Sequence, residues 1–193
     1  MNLSTQKPVI PATVASNTFS TKENFRAQAL SLGIAGVVPF PMGTATIDSI
    51  NLSFDGIGNT TVTGGPTTGT LNLGGIPATS VGSYAFYGCS GFNGSLVLPN
   101  SLTSIGTGAF YNCSGFTGSL VLPNSVTSIG TGAFYGCSLL TTVYADVDAS
   151  VVSSNTFGSS GVTQIYYHST KTGWTNPWNG IATAVWTNYP NIP

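Results

Sequence analysis

The chain has 193 residues, of which only 5% are charged, and its formal net charge is −1. That balance excludes the basic footprint of a protein that binds nucleic acid or anionic lipid. The 41% of apolar residues excludes intrinsic disorder, which goes with low hydrophobicity and high net charge.

In chain order, residues 1–45 differ from the rest and hold Lys7, Lys22 and Arg26, three of the four basic residues. Positions 1–16 contain Pro8 and Pro11 and read as an extended arm. Ser20-Thr21-Lys22-Glu23 has the form of a capping box, with Ser20 as N-cap and Glu23 at N3. Phe25, Ala29 and Leu30 give an apolar face, and Gly33 fits the residue just past a helix end. One short N-terminal helix is expected, too short to be stable alone, so it must dock on something. With Val38 and Phe40 of the Pro-rich connector VVPFPMG, Phe25 and Leu30 are the candidate assembly contacts.

Residues 46–169 read as one repeat array. Ile50, Leu52 and Phe54 alternate with polar residues, as a strand does. The same strand is expected at Leu71-Asn72-Leu73, Leu96-Val97-Leu98, Leu120-Val121-Leu122, Val143-Tyr144-Ala145 and Gln164-Ile165-Tyr166. Between them, SVGSYAFYGCSGFNGSLVLPN, SLTSIGTGAFYNCSGFTGSLVLPN and SVTSIGTGAFYGCSLL align without a gap at Ala85, Ala109 and Ala133, at Phe86, Phe110 and Phe134, and at Cys89, Cys113 and Cys137. Self-similarity at such a period marks a solenoid, in which each coil buries one side against its neighbours. The expected fold is an α/β or mainly β repeat solenoid whose successive strands pair in parallel. Gly64-Gly65-Pro66 and Gly74-Gly75 mark irregular early coils. After Ala149 the repeat is worn: Thr156-Phe157 replaces Ala-Phe and Ser160 replaces Cys.

Within one repeat Leu98, Leu102, Ile105, Ala109, Phe110, Cys113, Phe116 and Leu120 are expected to point inward, while Gly106 and Gly108 allow tight bends. The three Cys occupy one repeat position, and free, buried thiols are expected rather than a disulfide framework. Residues 170–193 leave the pattern and crowd Trp174, Pro177, Trp178, Trp186 and Tyr189. They read as an aromatic C-terminal cap, or as a ligand site built on the tryptophans.

No catalytic constellation emerges, and no enzymatic activity, cofactor or metal is expected. From 56 to 145 there is no Asp, Glu, Lys, Arg or His. Asp146 and Asp148 read as solvated acids on the turn after a strand, since a cation site needs more oxygen ligands. His168 stands beside Tyr166 and Tyr167 without an evident carboxylate partner. There is neither a phosphate-binding loop nor a nucleophile elbow. MNLSTQKPVIPATVA lacks a charged region followed by an apolar one, so no secretory signal is read. Residues 33–42 are interrupted by Pro39 and Pro41, so no membrane insertion is expected.

Two columns are candidate binding surfaces. Tyr87, Tyr111 and Tyr135 follow the repeat's Ala-Phe; they form either a platform for sugar rings or a protein partner, or lateral packing between coils. Asn72, Val97, Val121, Tyr144 and Tyr166 are the outward residues of the strands, a semi-apolar contact surface or ordinary β-propensity at open sites.

Residues 123–138, Pro-Asn-Ser-Val-Thr-Ser-Ile-Gly-x-x-Ala-Phe-x-x-Cys-Ser, resemble the BspA-like or Treponema-type leucine-rich repeat, and residues 99–114 match nearly as well. TQIYYHSTKTGWTNPW resembles that family's closing segment. The resemblance implies a short leucine-rich-repeat stack. It also implies kinship with bacterial or protist surface proteins, some of which bind host matrix proteins or other cells. The function expected is non-enzymatic display and binding, as a virion component such as a fibre or decoration protein, or as a bacterial cell-surface adhesin. The expected partners are other virion or surface proteins through residues 1–45, further copies of the chain, and a host protein or glycan on the repeats.

Overall fold

A computed structural model describes residues 14–19, 42–47, 49–55 and 59–186. The helix expected after Ser20 and the contacts Phe25, Leu30, Val38 and Phe40 lie outside these residues. The strands are β1 (Val14–Phe19), β2 (Met42–Ile47), β3 (Ile50–Asp55), β4 (Thr60–Gly64), β5 (Thr68–Gly69), β6 (Ser80–Val81), β7 (Gly91–Phe92), β8 (Ser104–Ile105), β9 (Gly118–Leu122), β10 (Ser128–Ile129), β11 (Leu140–Ala145), β12 (Gln164–His168) and β13 (Ala182–Trp186). A single 3-10 turn, Ala149–Val151, is the helical element among the described residues.

Two ladders run along a solenoid of about six turns. One is a seven-stranded sheet in the order β1-β2-β3-β4-β6-β8-β10. Its repeat portion is parallel, with Val62 opposite Val81, Val81 opposite Ile105, and Ile105 opposite Ile129. Ile129 is bridged onward to Val152. A second sheet is β9-β11-β12-β13, all parallel, and β5 and β7 form a separate two-stranded parallel pair. Asn72 and Val97 are bridged in parallel in the earlier coils.

The strand Ile50–Asp55 departs from expectation. It was expected in the parallel ladder of Leu71, but it pairs antiparallel with both β2 and β4 in the seven-stranded sheet. Alternation of apolar residues identifies a strand but carries no information about its direction or its sheet. The segment after Thr170 also differs. The repeat motif ends, yet β13 still pairs residue for residue with β12, from Gln164 opposite Ala182 to His168 opposite Trp186.

The core is a pair of phenylalanine columns. Phe86, Phe110, Phe134 and Phe157 stack in sequence with ring centroids 5.4, 5.2 and 5.7 Å apart. Phe92 and Phe116 form the second column at 4.9 Å, set edge-on to the first. These rings, with Leu102, Ile105, Leu120 and Ala109, are buried, so each coil completes its interior with its neighbours. Burial of such side chains contributes roughly 1.5–3 kcal/mol each.

Over 56–145, where there is no Asp, Glu, Lys, Arg or His, the coils are joined by backbone and hydroxyl groups. Phe86 N–H donates to the Ala109 carbonyl, Phe110 N–H to Ala133 and Phe134 N–H to Thr156. Ser101 and Ser125 hydroxyls donate to the Ala78 and Leu102 carbonyls at 2.7 and 2.6 Å. Thr103 and Thr127 hydroxyls donate to the Thr79 and Thr103 carbonyls. The abundance of Ser and Thr is thereby explained: their short side chains satisfy carbonyls of the preceding coil. Gly106 and Gly130 are needed at the bend, because a Cβ there would lie 2.4 and 2.5 Å from backbone nitrogens of Ser83 and Thr107. Among the described residues no helix is long and apolar enough to cross a membrane.

Candidate functional site

The expected tyrosine column exists. It sits on the turns of the coils, immediately after the Ala-Phe pair, whose phenylalanine is buried in each copy. Tyr87 and Tyr111 are stacked at 5.1 Å and 15°, Tyr111 and Tyr135 at 4.8 Å and 9°. The backbone sets this register: Gly88 N–H donates to the Tyr111 carbonyl and Asn112 N–H to the Tyr135 carbonyl. Tyr111 and Tyr135 are half-buried and Tyr87 is 56% exposed. Loss of water first, then the neighbouring rings Tyr135 and Tyr87, push the Tyr111 phenol above its ordinary range.

The two readings of this column, contact surface and lateral packing, are joined in its geometry. Parallel rings about one coil apart cover each other's faces. At the far end Gly158 takes the tyrosine position, and the Ser159 hydroxyl donates to the Tyr135 hydroxyl at 2.9 Å. At the near end stands Tyr84, which sequence reasoning passed over. It is 57% exposed and lies edge-to-face with Tyr87 at 5.9 Å and 66°. A signal was present: Tyr84 interrupts a position filled by Gly108 and Gly132 in the following copies.

The second expected column is also assembled, on a different side of the coil. Val121, Tyr144 and Tyr166 are in register across β9, β11 and β12, followed by Ala184; Val97 lies opposite Asn72 in the earlier coils. Val97, Val121, Tyr144 and Tyr166 are all half-buried. Tyr144 stacks on Tyr166 at 5.4 Å, and Trp186 leans onto Tyr144 at 5.8 Å. Trp186 also meets His168 edge-on.

The remaining chemistry-bearing residues are placed as follows. Cys89, Cys113 and Cys137 are free and buried. Cys113 Sγ donates to the Phe86 carbonyl at 3.0 Å and Cys137 Sγ to the Phe110 carbonyl at 3.2 Å. Burial pushes the Cys137 thiol up to about 12, and the Cys113 thiol is raised for the same reason. The thiolate is the reactive form, so these are packing groups. Asp146 meets Lys171 at 3.5 Å. Asp148 accepts from the Thr172 N–H at 2.6 Å and its hydroxyl at 3.0 Å. Both acids thus tie the turn after β11 to the segment at 171–172. The His168 ring nitrogen Nδ1 is 2.8 Å from the Thr170 hydroxyl. The indole N–H of Trp174 donates to the Val147 carbonyl at 3.0 Å, and Trp174 stacks on Tyr167. Among the described residues no group of three or more His, Cys, Asp or Glu is placed to hold a metal ion.

Two solved structures are similar. The pneumococcal vaccine antigen PcpA shares 18% identity with a TM-score of 0.49, over 74% of this chain and 42% of that one. A leucine rich cell surface protein from Faecalibacterium prausnitzii A2-165 shares 16% identity with a TM-score of 0.37, over 76% of this chain and 55% of that one. The chain therefore spans about half the length of either protein. It matches none of the curated proteins. The BspA type leucine rich repeat region matches residues 74–176 in six copies, more than half of the 193 residues. Together with the stacked phenylalanines and parallel ladders, this places the chain in the BspA-type leucine-rich-repeat family.

Proposed function

We propose that this chain is a non-enzymatic binding module displayed on a surface, and that it meets its partner through the tyrosine column of Tyr87, Tyr111 and Tyr135. The observation that carries the reading is the column itself: three rings in register on the outside of coils whose phenylalanines close inward. Tyr is enriched at protein interfaces because it offers apolar area and a hydroxyl together. The half-buried strand column of Val97, Val121, Tyr144 and Tyr166 serves as the secondary contact surface. Residues 1–45 attach the module to other surface proteins or to further copies, residues 46–169 carry the display, and the aromatic segment 170–193 closes its end.

The setting we propose is a bacterial cell surface, typical of this repeat family. A virion surface is the second setting, favoured by an exterior of Gly, Ser, Thr and Asn with no charge over 56–145. A protein inventory of isolated cell envelopes and purified virus particles separates the two. Recovery from the soluble cell interior alone would remove both.

Beads coated with the full chain test the function. Intact cells are expected to adhere to them, and adhesion is expected to fall with the Tyr111→Ser/Tyr135→Ser double variant while its melting temperature drops only by the few degrees that the lost ring contacts cost. Undiminished adhesion, or a large loss of melting temperature, would assign the column to packing.

A further inference from the structure

We propose that Tyr84 and Tyr87 form a subsite for a neutral polysaccharide, one ring packing against the C–H face of a sugar. The inference rests on the reading of the tyrosine column as a binding surface and names its ligand class. Within the column each ring face is covered by the next ring. At the far end the Tyr135 ring lies against Gly158, where an added Cβ would be 2.7 Å from Tyr135 Cδ2, so the end left for a ligand is at the first ring. There Tyr84 and Tyr87 stand edge-to-face at 5.9 Å, and they are the two most exposed large apolar or aromatic side chains among the described residues.

Tyr84 occupies this place against its backbone preference. Its φ is 58°, while the same position in the next two coils holds Gly108 at 58° and Gly132 at 64°. A bulky residue in the left-handed region is an outlier, and such outliers cluster at ligand sites. The ring lies against Gly108 of the next coil, where an added Cβ would be 2.6 Å from Tyr84 Cε1. The glycine of the second coil leaves the room that the tyrosine of the first coil takes.

The surroundings select the ligand. No ionisable Asp, Glu, Lys, Arg or His lies in residues 56–145, so a charged ligand would shed water without gaining a counter-charge. Ser83 and Thr107 are exposed beside Tyr84, and the Thr107 carbonyl holds the Tyr84 N–H at 2.9 Å. The other exposed large apolar side chains, Leu139 and Val185, belong to a later coil and to β13. They do not continue the aromatic pair into the stripe that an amphipathic helix requires. Aromatic rings among hydroxyl groups suit a sugar polymer.

Native gels containing dissolved mannan, laminarin or dextran, with heparin as the anionic comparison, test the proposal on the full chain. At least one neutral polysaccharide is expected to retard the protein. Tyr84→Gly is expected to weaken that interaction by about fivefold or more, the loss of one ring contact, and Tyr87→Ser similarly. Circular dichroism and the melting temperature check that both variants are folded. Retardation by heparin alone, by none of the polymers, or equally by folded Tyr84→Gly would overturn the subsite. Cell adhesion that depends on Tyr111 and Tyr135 without any polysaccharide retardation would identify a protein ligand, removing this inference while the binding-module reading stands.

Discussion

Tyr84 and Gly108 stand at the same point of successive coils and share a backbone φ of 58°. The left-handed conformation costs an L-residue about 1–2 kcal/mol, and here one of the pair carries that cost as a tyrosine. Replacing Tyr84 by Gly relieves it, and the lost contact with Tyr87 offsets a similar amount, about 0.5–1.5 kcal/mol. The melting temperature of Tyr84→Gly is therefore expected to match or exceed that of the parent. Gly108→Ala introduces the same conformational cost and a collision with the Tyr84 ring, so its melting temperature is expected to fall. Thermal unfolding followed by circular dichroism checks both.

Phe110 lies between Phe86 and Phe134 at 5.4 and 5.2 Å and meets Phe116 edge-on. Truncation to Ala opens a cavity shared by three coils. Phe110→Ala is expected to cost ~3–5 kcal/mol, measured by urea titration. A loss below ~1 kcal/mol would mean that the coils do not share one interior.

The thiols should behave as core groups. At pH 8 a thiol reagent is expected to leave Cys113 and Cys137 unmodified in the native protein. Both are buried and hydrogen-bonded, and their thiols are raised by burial. Cys89, at the first repeat, is 8% exposed and its thiol is also raised, so it should be the first of the three to react, and slowly. In denaturant all three should react together. Fast native labelling of Cys137 would contradict the packing role.

Asp148 gives the pH dependence. Its hydrogen bonds from the Thr172 backbone N–H and then from the Thr172 hydroxyl lower its carboxyl below the ordinary value. A group lowered by folding contributes stability above its unfolded pKa and loses it as pH falls through the folded one. The melting temperature of Asp148→Asn is therefore expected below the parent at pH 7, with the gap closing in strong acid. A gap that persists at low pH would show that the carboxylate charge is not the cause.

Much of the repeat was legible because its constraint is local and recurs. Ala-Phe-x-x-Cys fixes which residues turn inward, and identical spacing forces them to stack, so the columns of Phe86, Phe110 and Phe134 and of Tyr87, Tyr111 and Tyr135 followed from alignment alone. The Ile50 strand was legible as a strand, but not as an antiparallel partner of β2 and β4. Sheet membership depends on the path of the turns, which alternation does not encode. Tyr84 was missed because attention to what the copies share passes over the one residue in which they differ.

The residues by themselves determined the coil: its period, its buried set and its uncharged exterior, since each follows from side-chain type at fixed spacing. Tertiary structure alone decided that the tyrosine rings cover one another and leave faces open at one end. It likewise decided that β13 continues the ladder after the motif has ended. Both depend on distances between coils, and those distances are set by packed backbones rather than by any single side chain.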